Sequence, residues 1–437
     1  MFESNDQAQN SADIRRIRQF IHQQLIGSVD LEQDQNLHEA KVLKIKIATL
    51  IAQFEEKMGM PIGADIHLQI MDQITHEVNG YGPLTGLMMD PGISDILING
   101  AKDIWIDRAG KLQKTAIEFD DQQHLRRMLD RLLADQGKRL DSQSPTVDAK
   151  LPDGSRLHAL IAPLCKNGPV VSIRRFTHQP HSAAALVKNG MLSQNMLDFL
   201  TVAIKAGCNM VIAGGASVGK TTLLNALSEF IPSAERVITI EESAELCLRH
   251  PHVISLEARQ KNNHGQGGFP LRELLRNALR MRADRIIIGE VRGEEVFDML
   301  QAMTVGHNGS MTTVHANHPR DVIGRLESLA LLSHEQMPMS SIHSLLSAAM
   351  KLIVYLTRSQ DGNRYVTHIC EVIPEQGHLA VKDIFSRQVY EPFPSKNKAQ
   401  PQDRHYQEHY RPPQLISQLT EKGAVIAEHF HSGYVIK

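Results

Sequence analysis

Gly214, Gly219, Lys220 and Thr221 stand at the spacing G-x-x-x-x-G-K-[ST], with Gly215, Ala216, Ser217 and Val218 between the glycines. Such a loop closes its backbone N–H groups around phosphate oxygens, and the helix that follows adds about half an elementary positive charge at its N-terminus. Lys220 would reach the β- and γ-phosphates of a nucleotide. The Thr221 hydroxyl would ligate Mg²⁺, with Thr222 beside it in the same turn. A chance match in an unrelated turn is the plain alternative. Against it, the apolar run Met210 to Ala213 reads as a buried strand and Thr222 to Leu227 as a helix, which is the setting the loop needs.

Other polar residues take their meaning from this loop. Ile286, Ile287 and Ile288 form a hydrophobic strand followed by Gly289 and Glu290, and a carboxylate at the carboxyl end of a core strand faces the crevice where a nucleotide lies. Glu290 is a candidate for orienting a water molecule or holding the Mg²⁺ shell, against the plain reading of a surface acid. Glu241, Glu242 and Glu245 follow the strand Val237 to Ile240; residue chemistry alone leaves them equally as the solvated first turn of a helix, favoured by its dipole. His307 and His315 bracket a strand at 311–314, and spacing alone reads both as satisfied core or surface groups. Arg156, Arg174 and Arg175 are remote in sequence from the loop, and by themselves are surface cations or members of ion pairs worth under about 1 kcal/mol.

The elements that must position these residues change character along the chain. Residues 1–78 read as helical: Ile14, Ile17, Ile21 and Leu25 share one face, Leu43, Ile47, Leu50, Ile51 and Phe54 a second, and Ile66, Ile70 and Ile74 a third. Asn79 to Pro83 break that period. Residues 79–176 read as an α+β domain, with strands at 96–100, 104–111, 157–162 and 170–173 and a helix at 124–133. Residues 177–190, with Pro180 and three alanines but no apolar period, read as a linker. In 191–390 strands and helices alternate as in a βαβ nucleotide-binding core, the strands falling at 210–213, 237–240, 285–288, 311–314 and 352–356, the last paired with 365–372 across a turn at 361–363. Residues 391–437 read as a C-terminal tail, polar and proline-containing over 391–413.

Composition sets the outer bounds. A chain of 437 residues with 42% hydrophobic and 22% charged side chains has room for two or three globular domains. Its 47 basic and 49 acidic residues leave a net charge of −2, no general field for nucleic acid, so no nucleic-acid partner is expected. No apolar run approaches the roughly 18 residues of a membrane span, and the first residues lack a signal peptide's apolar core, so the expected compartment is the cytoplasm. Cys165, Cys208, Cys247 and Cys370 have no C-x-x-C spacing and read as reduced thiols.

Four blocks of the second half resemble the type II/type IV secretion ATPase family, in particular the branch that drives tight-adherence (Flp) pilus assembly. They are the phosphate loop, VITIEESAEL at 237–246, LRNALRMRADRIIIGEVRG at 275–293 and GHNGSMTTVHAN at 306–317. GYGPLTGLMMDP at 80–91, DGSRLHALIAPL at 153–164 and VSIRRF at 171–176 extend the resemblance upstream. It implies a RecA-like P-loop ATPase core, preceded by an α+β (PAS-like) domain and a small helical bundle. Glu290 then matches the Walker B glutamate, Glu241 a catalytic glutamate of the acidic box, with Glu242 where aspartate is usual. His307 and His315 match a histidine box that senses the γ-phosphate, and Arg156, Arg174 and Arg175 fall in a module whose arginines neutralise phosphates within a subunit or from a neighbour. Ala283 stands where proline is usual, and Ala216, Ser217 and Val218 where Thr-Gly-Ser is common; no phosphate ligand is lost.

The expectation is therefore an ATP- and Mg²⁺-dependent hydrolytic motor. The resemblance implies a homo-oligomer, a hexameric ring, cytoplasmic and docked on an inner-membrane platform protein. Two other readings share the loop: a RecA-like nucleic-acid motor, which the near-neutral charge disfavours, and a nucleotide-gated scaffold that barely hydrolyses.

Overall fold

The computed structural model describes residues 17, 20, 21, 24, 40–59, 61–108, 110–134, 136–176, 182–259, 266–333, 337–359, 362–375, 378–389, 406–421, 430 and 434–436. The chain divides into two compact units, Met1–Thr177 and His178–Lys437.

The first unit opens with helices α1 (Ala40–Met58) and α2 (Ala64–Asn79). Leu43, Ile47, Leu50 and Ile51 of α1 pack with Ile70 and Ile74 of α2 and with Ile17 and Ile21, one buried stripe per helix at three- and four-residue spacing. The expected face residues Ile14 and Leu25 lie outside the described residues. Helix α2 stops at Gly80, where an added Cβ would lie 2.9 Å from the His76 carbonyl oxygen. Arg131 donates to the carbonyls of Val78 and Gly80 there, satisfying oxygens the helix end leaves unpaired. A short α3 (Thr85–Met89) leads into β1 (Ile93–Asn99), β2 (Ile104–Arg108), β3 (Lys111–Lys114), α4 (Gln122–Ala134), β4 (Thr146–Lys150), β5 (Arg156–Leu160) and β6 (Val170–Arg174). The strands form one antiparallel sheet in the order β3-β2-β1-β6-β5-β4. Alternating residues Ile96, Ile98, Ile104, Leu157 and Ile173 face a core shared with Leu125, Met128, Leu129 and Leu132 of α4.

The second unit begins with α5 (Ala183–Lys188) and α6 (Gln194–Lys205), each started by a serine whose hydroxyl accepts an amide of the first turn: Ser182 from Ala185 and Ser193 from Met196. Residues 183–188 thus correct the expectation of a linker over 177–190, since Ala183 and Leu186 are buried in this unit's core. Small side chains give a buried helix no visible apolar period; the serine cap was its signal. There follow β7 (Met210–Gly214), α7 (Lys220–Leu227), β8 (Val237–Glu241), β9 (Val253–Glu257), α8 (Leu271–Ala278), β10 (Arg285–Ile288), α9 (Glu295–Thr304), β11 (Met311–His315), α10 (Asp321–Ser333), α11 (Met339–Ala349) and β12 (Leu352–Arg358). The chain closes with β13 (Arg364–Glu375), β14 (His378–Val389), β15 (Tyr406–Tyr410), α12 (Leu415–Glu421) and β16 (Tyr434–Ile436).

Among the described residues, ten strands make one sheet in the order β16-β15-β14-β13-β12-β7-β11-β10-β8-β9. From β9 to β12 the neighbours are parallel, and from β12 to β16 antiparallel. The central parallel strands are buried along their length, apart from the half-exposed His315 that ends β11, as strands covered on both faces must be. The expected tail is corrected as well. Residues 391–405 lie outside the described residues, but β15, α12 and β16 extend this unit, and Tyr410, Leu415, Leu419 and Phe430 enter its core. Their rings and methyls are spaced too irregularly among polar residues to announce a helix or strand.

Candidate nucleotide site

The parallel strands order the chemistry. β7 delivers the loop, β10 delivers Glu290, and β11 runs between them, ending at His315. A gap one strand wide therefore separates the lysine from the carboxylate.

The loop is held open by backbone that side chains resist. Gly214 has φ 153°, and a Cβ there would fall 2.5 Å from the Leu356 carbonyl oxygen. Gly219 has φ 94°, and a Cβ there would meet Met191 Cε at 3.1 Å and Arg364 Cδ at 3.4 Å. Ser217 takes a left-handed conformation, φ 56°, at the exposed tip beside Ala216. Val218 is buried in the core and anchors the loop from below. Lys220 opens α7 and is also buried; its ammonium donates to the Gly215 carbonyl at 2.8 Å and the Gly214 carbonyl at 3.2 Å. Thr221 and Thr222 follow on the first turn, half-buried.

Lys220 Nζ also lies 3.4 Å from His315 Nδ1, and His315 Nε2 lies 2.7 Å from Glu290 Oε1. An ammonium can only donate, so Nδ1 accepts and the ring proton sits on Nε2, toward the carboxylate. Burial first, and then the Lys220 ammonium, hold His315 below the usual histidine value, with Glu290 opposing. His315 is thus a neutral imidazole between a cation and an anion. The contact with Glu290 Oε1 is short but out of line for a hydrogen bond, so this buried oxygen has no aligned donor. The other oxygen, Oε2, accepts from Arg292 Nη2 at 2.6 Å.

Glu241 closes β8, almost fully buried, and its Oε1 accepts the amides of Glu245 and Leu246, both at 2.9 Å. It anchors the acidic loop. Gly289 allows this approach, since a Cβ there would lie 3.0 Å from Glu241 Cγ. Glu242 points outward, 3.7 Å from Arg292 Nη1.

His307 is not brought to this group. It precedes β11, and its Nδ1 donates to the Ala283 carbonyl at 2.8 Å, at the end of the sheet opposite His315. The five residues of β11 separate the two histidines by on the order of 13 Å along the strand. Bracketing a strand is what parts them: its two ends are on opposite sides of the sheet. Arg156, Arg174 and Arg175 lie in the first unit. Arg156 and Arg174 are direct cross-strand neighbours on β5 and β6, Arg174 exposed and Arg156 half-buried. Arg175 is committed to structure, donating to the carbonyls of Asp90 and Ile93 at the start of β1.

Arg292 was not singled out from the sequence. Its signal was there: in extended chain, residues two apart share a side, so a cation two residues after Glu290 faces the same way.

A phosphate loop between a parallel strand and a helix, with a carboxylate two strands away and a histidine-bearing strand between, defines a RecA-like P-loop protein. The chain belongs to the family described as type II/IV secretion system protein, whose model matches residues 77–410. It is 35% identical over 309 residues to a putative conjugal transfer protein of Mycobacterium tuberculosis, covering 69% of this chain and 87% of that one. It is 30% identical over 310 residues to the type IV secretion system protein PtlH homolog of Bordetella bronchiseptica, covering 63% of this chain and 89% of that one. Among solved structures, the VirB11 ATPase from the Brucella suis type IV secretion system, in complex with sulphate, is 25% identical, with a TM-score of 0.37 and coverage of 69% of this chain and 94% of that one. Among the described residues no helix is long and apolar enough to cross a membrane.

Proposed function

We infer that the protein is an Mg²⁺-dependent ATPase that drives assembly of a tight-adherence (Flp) pilus or a related secretion machine. The observation that carries the catalytic part is the row Lys220, His315, Glu290 at the carboxyl ends of the adjacent strands β7, β11 and β10, beside the phosphate loop. The loop amides and Lys220 bind the β- and γ-phosphates, and the crevice above β11 receives the terminal one. Glu290 orients the attacking water, and the imidazole of His315 can donate from Nε2 toward the same place. The Thr221 hydroxyl would hold a magnesium ion, and the undirected Glu290 Oε1 would act on its water shell; the ion, when bound, neutralises charge on the phosphate oxygens. Glu241 supports the site by fixing the acidic loop.

The remaining parts of the reading follow the family to which the chain belongs and its relatives in conjugal transfer and type IV secretion. They are a hexameric ring in the cytoplasm, peripheral to the inner membrane and docked on a platform protein, with Arg156 and Arg174 neutralising phosphate charge within a subunit or across a boundary, and Arg175 held in the fold beside them. Residues 1–78 and 79–176 would act as gripping and closing parts, and the second unit, with its C-terminal segment, as the hydrolysing one.

Nucleotide binding and single-turnover hydrolysis, measured separately, test the core of this. Lys220→Ala should lose both. Glu290→Gln should bind ATP with Mg²⁺ and turn it over slower by a factor on the order of 10² or more, because it acts on the water rather than on the ground-state phosphate. Normal turnover by Glu290→Gln would remove Glu290 from the mechanism.

A further inference from the structure

Arg292 has a built position and no assigned task. Its backbone is pinned on both sides: its own amide and that of Gly293 donate to Glu295 Oε1 at 2.6 Å and 2.9 Å, and the Val291 amide donates to the Thr313 carbonyl of β11 at 3.0 Å. Glu295 is buried at the first residue of α9, so the anchor is rigid. From that base the planar guanidinium addresses two carboxylates with two different nitrogens, Nη2 to Glu290 Oε2 at 2.6 Å and Nη1 to Glu242 Oε2 at 3.7 Å. Glu290 foremost holds the Arg292 pKa above its usual value.

We propose that Arg292 is a positioning residue for hydrolysis, fixing the orientation of the Glu290 carboxylate and tying it, through Glu242, to the acidic loop after β8. A carboxylate on a two-carbon arm has several rotamers, and only some aim an oxygen into the crevice beside His315. With Oε2 held by Arg292, Oε1 is left on the His315 side, where a water above the phosphate loop would lie. The guanidinium is hydrogen-bonded to Glu290; at 3.7 Å its contact with Glu242 is an ion pair between exposed groups, so the tie to the acidic loop is electrostatic. The inference rests on the ATPase reading. It differs from a surface ion pair in what it moves: the turnover step rather than stability or ground-state affinity.

Arg292→Ala and Arg292→Lys in the full-length protein separate these, read by ATP affinity, single-turnover rate and thermal midpoint. Arg292→Ala should bind ATP within about threefold of the unaltered protein and hydrolyse it roughly 10- to 100-fold more slowly, the scale of a misaimed catalytic group. Arg292→Lys, which keeps one charged bond to Glu290, should recover part of that rate, and it carries the test if the alanine variant does not fold. Hydrolysis by Arg292→Ala within about twofold of the unaltered rate, or a loss of affinity matching the loss of rate, would overturn the inference and leave the ATPase reading standing. An unaltered protein that binds ATP but does not hydrolyse it would overturn both.

Discussion

At the scale of single residues, the site was legible where chemistry and sequence spacing coincide. The loop residues could be read because a lysine after a glycine pair works only at one turn of chain, and Glu290 because a strand was visible before it. His307 and His315 read as an alike pair bracketing a strand, although the carboxyl-end rule that placed Glu290 also separates them: only His315 stands at the carboxyl end of β11. Glu241 was visible as an acid, while its two amide bonds were not, because they depend on how the loop at 243–246 folds back. A third histidine gives a testable consequence. His368 on β13 is held below its usual value, by burial first and then by His318 and Arg320, with Asp383 pulling it up. The rings of Tyr355 and His318 lie 6.1 Å and 6.2 Å from it. The folded state thus keeps it neutral where the unfolded chain still binds a proton. Its contribution is present above the unfolded value of about 6.5 and is lost as pH falls below that toward the folded value. His368→Gln should flatten the fall in stability between neutral and mildly acidic pH, seen in denaturant midpoints. An unchanged slope would mean that His368 titrates alike in both states.

At the scale of elements, periodic helices and buried strands were legible and the connectors between them were not. The strands β7, β10 and β12 could be read from continuous apolar runs, and β8 (V-I-T-I) and β11 (M-T-T-V) from runs rich in β-branched residues. β9 and β14 were missed because half-buried strands carry a diluted pattern. What aligns the elements is equally invisible in sequence. Asn209, just before β7, is buried and donates to the carbonyls of Met303 at 3.2 Å and Ala349 at 2.8 Å, the ends of α9 and α11, while accepting the Ser310 amide at 3.0 Å. One amide side chain thus ties two helix ends and β11 to the strand that delivers the loop. Asn209→Ala leaves these groups buried without partners and should cost roughly 2–4 kcal/mol. Chemical unfolding measures it; a loss under about 1 kcal/mol would show that water replaces the amide.

At the scale of the molecule, the C-terminal segment is part of the nucleotide-binding unit rather than an appendage. Phe199 of α6 and Phe385 of β14 have ring centres 5.7 Å apart, Tyr410 lies 4.8 Å from Phe385, and Phe430 lies 5.6 Å from Tyr410. The buried carboxylate of Glu371 is held from the same segment by Arg411 and the Leu415 amide. Ending the chain at residue 405 strips two rings from this cluster and leaves Glu371 unpaired, for a loss of at least about 5 kcal/mol, on the order of 10 °C in melting temperature for a unit of this size. Scanning calorimetry checks it, and a truncated protein that melts with the intact one would refute the packing.

The order of the ten strands carries one more consequence, for solubility. The strand that delivers the phosphate loop lies deep within the sheet, and among the described residues the two outermost strands are short, three residues in β16 and five in β9. Brief edges offer a second chain few bare amides and carbonyls to pair with, which guards against edge-to-edge aggregation. Losing β15 and β16 would move the boundary to β14, twelve residues long, and turn a guarded margin into a template for intermolecular strand pairing.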